Sequence, residues 1–252
     1  MKGFGAFFAK ELRELVRTKH LMILMCVFVL FGIMNIAVTL LTPELLKEFD
    51  MEGVSIGEIS LSAVDSWTQF SKNMFMAMIV MLIMSSGIYT SEYTKGTLIP
   101  LLTKGLSRSS VVLSKFAVML LIWSAGVAVC YGITYFYSDY YWDNSAVKEL
   151  FFAGFCWWLF GVFMICCIVF FSSFSGSGAQ VMLGTGLVYF LLTMINIYDK
   201  AKEYLPVRLT DSLSLYKGVL EPSDYTSAVM ITSAASLVLL LAAFPVTHRR
   251  QL

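Results

Sequence analysis

Long apolar runs alternate with short charged segments along this chain. Five runs contain no Asp, Glu, Lys or Arg, and they cover residues 21–43, 73–91, 116–138, 150–198 and 225–248. About 20 apolar residues in a helix cross the hydrocarbon core of a bilayer, so four of these runs each predict one membrane-spanning helix. The run at 150–198 is too long for one helix, and the small residues of Ser172–Gln180 predict a turn within it. The pattern therefore predicts six transmembrane helices, at residues 21–41, 73–91, 113–137, 150–171, 179–197 and 226–246.

The composition supports this prediction and limits the function. Hydrophobic residues make up 58% of the chain and charged residues 14%, which is far from the balance of a soluble domain. We therefore expect an all-α integral membrane protein in which residues 1–252 form a single transmembrane domain, without room for a soluble catalytic domain. The sequence has no G-x-x-x-x-G-K-[ST] motif, the loop that cradles ATP phosphates. We expect no enzyme activity of the chain by itself and no cofactor on it.

Basic residues concentrate on one side of the predicted membrane. Residues 1–20, 91–115 and 249–250 hold eleven of the 18 lysines and arginines but only three of the 17 acidic residues. The other predicted loops hold seven basic and fourteen acidic residues. Cytoplasmic loops of membrane proteins carry an excess of Lys and Arg. The asymmetry therefore predicts a multi-pass protein whose two termini and 91–115 segment are all cytoplasmic.

The N-terminal residues predict an amphipathic helix on the membrane surface. Between residues 4 and 17, at 100° per residue, apolar side chains share one arc and most charged side chains share the other. The charged stretch reaches Lys19 without a small-residue cleavage site, so we do not expect a cleaved signal peptide. Glu11 projects into the apolar arc, where a carboxylate needs a partner, and we predict that Arg108 or Lys95 provides it. The alternative is that residues 1–20 are only a basic flank of the first span.

The polar segment at 91–115 carries its own helix signals. Gly96 suits the end of the second span, Thr97 suits the N-cap of a new helix, and Gly105 suits the end of that helix. The short helix then presents a small apolar face to a soluble partner, formed by Leu98, Leu101 and Leu102. The alternative is an ordinary cytoplasmic turn.

Eight residues of this segment resemble the cytoplasmic loop of the ABC-2 type transporter permeases, namely Glu92, Gly96, Thr97, Leu101, Leu102, Ser107, Arg108 and Lys115. In that family the loop carries a coupling helix that docks on a separate ATPase subunit. The resemblance implies that residues 92–108 are the coupling loop, and that the coupling residues are Glu92, Gly96, Thr97, Leu98, Leu101, Leu102 and Arg108. Two positions depart from the family pattern. Gly105 stands where a proline is usual, and Pro100 is unusual within the motif.

The resemblance also implies the surroundings of the chain. Residues 1–20 would be the interfacial elbow helix of the family, whose matching residues here are Lys10, Glu11 and Arg17. ATP and Mg²⁺ would bind to the partner ATPase, and a second permease chain, identical or different, would complete the pathway. We expect the protein in a bacterial cytoplasmic (inner) membrane, in contact with membrane lipid and not with nucleic acid.

Two segments between spans are expected on the outer surface. Residues 199–224 place leucines among charged residues, with Pro206, Gly218 and Pro222 as breaks, which predicts one or two short amphipathic helices. The family has small external helices at this place, and the alternative is a plain surface loop. The first outer loop, at residues 44–72, is acidic.

A few side chains in the spans are candidates for lining a transport pathway. They are Asn35, Met74, Met78, Met81 and Ser85. The alternative is that the polar ones form hydrogen bonds between helices and that the methionines pack in the core. The predicted spans carry almost no charged residues, which disfavours ion-coupled transport and favours a hydrophobic or amphipathic cargo.

These observations together predict the permease subunit of an ATP-driven exporter. Short permeases of this type resemble peptide exporters and peptide-immunity pumps, which favours an antimicrobial or toxin peptide as cargo, with a drug or a lipid as alternatives. A non-transporting membrane anchor or sensor that regulates a partner is the alternative function, and a channel is disfavoured because no filter-like loop is visible. The five cysteines lie in apolar spans without metal-ligand spacing, so we expect no metal site.

Overall fold

The computed structural model describes residues 3–48, 61–94, 96, 98–103 and 105–249. Within these ranges the regular elements are all helices. The α-helices are α1 (Phe4–Arg17), α2 (His20–Glu48), α3 (Ala63–Thr94), α4 (Ile99–Thr103), α5 (Arg108–Trp142), α6 (Leu150–Ser172), α7 (Gly178–Ile195), α8 (Asp199–Lys202), α9 (Leu213–Tyr216) and α10 (Thr226–Arg249). Short 3₁₀ helices cover Asn144–Ala146, Pro206–Thr210 and Pro222–Tyr225.

Six of the described helices are long and apolar enough to cross a membrane. The candidate spans are His20–Glu44 in α2, Ala63–Gly87 in α3, the whole of α5, α6 and α7, and Pro222–Arg249, which contains α10. This confirms the predicted all-α membrane fold. The helix α5 runs from Arg108 to Trp142 and so extends beyond the predicted 113–137 at both ends.

The second span begins earlier than the charge pattern predicts. The prediction starts it at residue 73, after a loop that includes Asp65 and Lys72, whereas α3 begins at Ala63. Ser62 stands at the N-cap position, and the Asp65 carboxylate accepts from its backbone N–H and its hydroxyl, at 2.9 and 2.8 Å, which forms half of a capping box. Asp65 and Lys72 therefore lie on the exposed side of a helix and not in a loop.

Helix α6 forms the centre of the bundle. In an apolar stretch of 18 residues in α6, 72% of the residues are buried inside the protein, against 11% in α7 and 17% in the last span. It packs against α3, α5, α7 and α10 and against the 3₁₀ helix Pro206–Thr210. The remaining span α2 packs against α3 and α5. The outer spans turn apolar faces outward, as expected where the solvent is lipid.

Glycines allow two aromatic rings to fit between helices. A Cβ atom at Gly161 of α6 would lie 2.1 Å from the Trp123 ring of α5, and one at Gly126 of α5 would lie 2.3 Å from the Phe28 ring of α2. We call these two positions the glycine notches. The Trp123 indole N–H donates to the carbonyl of Trp158 at 2.9 Å, which fixes the ring in its notch.

Polar side chains link three spans in the interior. The Asn35 amide of α2 donates to the Thr134 hydroxyl of α5 at 2.8 Å and accepts from the Asn73 amide of α3 at 2.7 Å. Both Asn35 and Thr134 are completely buried. These bonds satisfy groups that have no water to bond with inside a bilayer.

Between α7 and α10 the chain forms four short helical segments, which cover much of the segment 199–225. We call this segment the cap. The sequence predicts one or two short amphipathic helices here, and the structure has α8, the 3₁₀ helix Pro206–Thr210, α9 and the 3₁₀ helix Pro222–Tyr225. Its apolar side chains pack onto the ends of α6, α7 and α10.

Candidate functional site

Four elements meet at the end of the bundle opposite the cap. They are α1, α4, the first turns of α5 and the last turn of α10, and we call this group the basic end. Arg108 of α5 donates to the carbonyls of Thr247 and His248 at 3.0 and 3.2 Å. The last carbonyls of a helix have no partner within it and attract cations. Arg108 therefore fastens α10 to the segment that joins α4 and α5.

The apolar face of α4 points into the protein. Leu98 is 1% exposed and forms a small cluster with Phe7 of α1 and Val111 of α5. Leu101 and Leu102 are half-buried and pack against the same cluster. The sequence predicts Leu98, Leu101 and Leu102 as a face for a soluble partner. This is wrong for Leu98, because the amphipathic helix α1 lies beside α4 and the two cover each other's apolar side chains.

Helix α4 is one turn long and ends in a glycine motif. The Leu106 N–H donates to the Leu101 carbonyl at 3.2 Å and the Gly105 N–H to the Leu102 carbonyl at 3.0 Å, the pattern of a Schellman motif. Gly105 has φ of 95°, which proline cannot adopt because its ring fixes φ near −65°. This geometry explains the glycine at a position where the resembled family usually has proline.

The start of α4 differs in register from the prediction. The N–H groups of Leu101 and Leu102 both donate to the Leu98 carbonyl, at 3.1 and 3.0 Å, so Leu98 occupies the N-cap position. Pro100 is therefore the second helical residue and not the third. The predicted N-cap Thr97 lies outside the described residues, as do Lys95 and Lys104 and the side chain of Glu92.

A buried ion pair joins α1 to α5. The Glu11 carboxylate accepts from the Lys115 ammonium at 2.8 Å, and the two side chains are 4% and 1% exposed. Lys10 contacts the other oxygen of Glu11 at 3.0 Å and also Glu14 at 2.7 Å. Removing one partner of a buried pair leaves an uncompensated charge, so this pair strongly favours one position of α1 against α5.

The predicted need of Glu11 for a cation agrees with this geometry, and the structure pairs Glu11 with Lys115. Of the two predicted partners, Arg108 is wrong and Lys95 lies outside the described residues. Arg108 and Lys115 are seven residues apart and so share one face of α5, about 10 Å apart along its axis. Lys115 could have been identified as the partner from its position in a predicted span, because an ionisable group there requires a partner. Arg17, the third predicted elbow residue, lies exposed at the end of α1.

An open cleft separates α1 from α4 on the surface of the basic end. It has a volume of about 520 Å³ and is lined by Gly3, Ala6, Phe7, Lys10, Leu101, Gly105 and Leu106. Pro100 and Thr103 are exposed beside it. A soluble partner at this end therefore meets the cleft and the outer side of α4, while Leu98 supports α4 from inside.

The predicted pathway residues are not brought together at a surface. Asn35, Met74, Met78, Met81 and Ser85 are each 3% exposed or less. The methionines belong to the main core, and Asn35 bonds to its neighbours as described above. The methionines therefore pack in the core and Asn35 bonds between helices, and the role of the five residues in a transport pathway stays a prediction. Among the described residues no cluster of three metal-ligating side chains occurs.

A comparison with protein families gives one finding that covers nearly the whole chain. The family model described as ABC-2 family transporter protein matches residues 6–247. No curated protein matches the chain.

Proposed function

This chain belongs to the ABC-2 family of transporter proteins, and from that premise we propose that it is the permease subunit of an ATP-driven exporter. A separate ATPase subunit binds at the basic end and supplies ATP and Mg²⁺. A second permease chain completes the pathway across a bacterial cytoplasmic membrane. Both termini and α4 face the cytoplasm, where ATP is present.

The observation that carries this proposal is the linkage of α4 to the spans. Leu98 of α4 packs on Phe7 of α1, and Glu11 of α1 pairs with Lys115 of α5. A force on the exposed side of α4 is therefore transmitted through α1 into the third span. Arg108 extends the linkage to the end of α10.

The cargo follows from the chemistry of the spans. Among the described residues of the spans, the buried side chains are apolar or uncharged except Lys115, which is paired with Glu11. Such an interior stabilises a hydrophobic or amphipathic cargo better than a strongly hydrated ion. Our proposal is an antimicrobial or toxin peptide, with a drug or a lipid as the alternatives.

The docking of the ATPase can be tested without disturbing the inner cluster. Thr103 is exposed on α4, so Thr103→Glu places a charge on the proposed interface and leaves Leu98 in place. The matched control is Val219→Glu in the cap, where the side chain is 73% exposed at the other end of the bundle. An unpaired charge buried in an interface typically costs about 2 kcal/mol or more, roughly a 30-fold loss of affinity.

The measurement is the amount of ATPase that copurifies with each variant at equal membrane expression. We expect Thr103→Glu to lose most of the ATPase and Val219→Glu to retain it. Equal retention by the two variants would place the docking site elsewhere. A permease that copurifies with no ATPase at all would instead support the non-transporting anchor or sensor.

A further inference from the structure

A cavity of about 280 Å³ lies between α3, α6 and α7, away from the basic end. Its floor consists of buried side chains, among them Met78, Met164 and Ile168. Its rim includes Ile83 and Met182, which are 52% and 43% exposed. The cavity is thus a pocket with apolar walls and one open side within a single chain.

The depth of the cavity follows from the start of α7. A Cβ atom at Gly178 would lie 3.3 Å from the Gly87 Cα, so α7 begins level with the end of the candidate span Ala63–Gly87. Thr185 is seven residues further along α7, which is roughly 10 Å at 1.5 Å per residue. The cavity therefore lies at the depth of the hydrocarbon and not at the membrane surface.

Three hydroxyl side chains in the described spans are buried without a hydrogen-bond partner, those of Tyr131, Thr185 and Thr232, and of these Thr185 lines the cavity. The hydroxyls of Thr134, Thr193 and Ser236 donate to the carbonyl four residues earlier in their helices, at 2.7–2.9 Å. The Thr185 hydroxyl lines the cavity wall, is buried and has no hydrogen-bond partner. Leaving a donor unbonded in an apolar site is unfavourable, and an acceptor inside the cavity would remove that cost. A helical threonine has two accessible χ1 rotamers with which to reach it.

The volume and the walls indicate the class of molecule. An engineered apolar cavity of about 150 Å³ holds one benzene, so about 280 Å³ suits roughly 10 to 15 non-hydrogen atoms. The methionines Met78, Met164 and Met182 and the paired rings of Phe75 and Tyr189 favour an aromatic ligand, because sulfur and ring edges contact aromatic faces well.

We propose that this cavity binds a compact aromatic molecule with one hydrogen-bond acceptor, such as a ketone, which accepts from Thr185. As a cargo it would correspond to the drug alternative under the proposed export function, on which that identification rests, but the binding itself requires neither ATP nor a partner. Gly186 lies on the rim, and a Cβ atom there would meet nothing within 4 Å. This opening lets a side chain be added that fills the cavity without straining the helix.

The probe is benzophenone, which has two rings and one ketone. Under near-ultraviolet light its carbonyl abstracts a hydrogen atom from a nearby C–H bond, and the two carbon radicals combine to a tertiary alcohol. The purified protein is irradiated with increasing benzophenone and the adducts are located by mass spectrometry. We expect saturable adducts on Met78 and Met164, which are 2% and 1% exposed. Met230, which is 60% exposed, should show labelling that does not saturate.

Two variants and one control define the site. Gly186→Phe should lower labelling of Met164 by about tenfold or more, because the ring occupies the cavity. Gly132→Phe in α5 is the control, since a Cβ atom there also meets nothing within 4 Å, and it should leave Met164 labelling unchanged. Thr185→Val should raise the half-saturating concentration about fivefold through loss of one hydrogen bond. Circular dichroism verifies that each variant folds. If the Gly186→Phe variant does not fold, Gly186→Leu takes its place.

Three results would overturn the binding of the aromatic molecule in this cavity. The first is labelling confined to exposed methionines, and the second is saturable Met164 labelling that Gly186→Phe leaves intact. The third is loss of Met164 labelling when phospholipid bilayers replace detergent, which would assign the cavity to a lipid chain. An unchanged concentration dependence in Thr185→Val would overturn the role of the acceptor. Failure of ATPase docking at α4 would leave all of these measurements unaffected, so the two proposals fail separately.

Discussion

The two ends of the bundle are held together in different ways. The cap joins the main core through completely buried side chains, such as Leu209, Leu215 and Tyr216, and through a hydrogen bond of 2.9 Å from Trp157 to Ser212. Burial raises the pKa of Tyr216 to about 12, so it stays neutral. The basic end has a small apolar cluster that is separate from the main core. Its links to the spans include the Glu11–Lys115 ion pair and Leu15 of α1, which belongs to the main core.

This difference shows which end can move at low cost. Moving the cap would expose continuous apolar core, and the free-energy cost grows with every buried side chain that is uncovered. Moving α4 uncovers only a small cluster. The ion pair then ensures that α1 and α5 follow the movement, because separating two buried charges is far more costly than shifting them together. We therefore expect a displacement of α4 to cost less free energy than a displacement of the cap.

The largest expected effect is that thiols at the two ends react from opposite sides of the membrane. Thr103→Cys at the basic end and Val219→Cys in the cap both place a thiol on an exposed position. With Cys26 replaced by Ser, a membrane-impermeant maleimide should label only Val219→Cys in intact cells and only Thr103→Cys in inverted vesicles. The physical basis is the excess of basic residues at the basic end. Labelling of Thr103→Cys from outside would reverse the orientation and remove the proposed access to an ATPase.

Reversing the charge of Glu11 is the next largest change. Glu11→Lys places two ammonium groups in a buried site and should lower the free energy of unfolding by about 3–5 kcal/mol. It should also reduce ATP-driven transport relative to ATP hydrolysis. Chemical denaturation of the purified protein and a transport assay check the two effects.

The control for this change is Glu14→Lys, because Glu14 pairs with the same Lys10 but its side chain is 50% exposed. Glu14→Lys should change the free energy of unfolding by no more than about 1 kcal/mol. The exchange variant Glu11→Lys with Lys115→Glu should recover part of the loss. Coupled transport at the normal rate in Glu11→Lys would show that α1 does not transmit force to α5.

Removing one buried leucine at each end compares their packing. Leu209→Ala in the cap should lower the free energy of unfolding by about 2–5 kcal/mol. The loss for Leu98→Ala should lie near the lower limit of that range, because the smaller cluster around Leu98 can collapse into the space left by the removed atoms. Only Leu98→Ala should lower the amount of copurified ATPase. Equal loss of ATPase in both variants would mean that docking follows overall stability rather than the position of α4.

The smallest expected effect concerns the N-cap residue of helix α5. The Ser107 hydroxyl accepts the Ser110 N–H at 3.1 Å at the start of α5, so Ser107→Ala should cost about 1 kcal/mol. Ser233→Ala on an exposed face of α10 serves for comparison, because its hydroxyl only donates to a carbonyl that its own helix already occupies. A thermal shift for Ser107→Ala no larger than that for Ser233→Ala would contradict the capping role.

The sequence analysis predicted some of these features and missed others for identifiable reasons. The lengths of the apolar runs located the spans, because membrane thickness fixes the length of a spanning helix. The start of α3 was missed, since Asp65 and Lys72 interrupt the run even though they lie on the exposed side of that helix. Helical projection showed that Glu11 needs a partner. It could not select Lys115 over Arg108, because both lie on one face of α5 and the height of α1 beside α5 is a tertiary property.

The methionines of α3 show a second limit. A stripe such as Met74, Met78 and Met81 has the same period whether it faces a pathway or the core. Only the tertiary packing can distinguish the two, and all three side chains are buried in this chain. The register of α4 was misjudged by one residue for a similar reason. The signal of Thr97 as a cap is local, whereas the position of Leu98 is set by Phe7 and Val111.

The glycine notches also determine how far one helix can move alone. Trp123 of α5 fills the notch at Gly161 of α6, and Phe28 of α2 fills the notch at Gly126 of α5. Neither ring can leave its notch without a large steric overlap or an empty space, so α5 can neither rotate about its axis nor slide past its neighbours by small steps. We therefore expect a displacement that enters at Lys115 to move α2, α5 and α6 together.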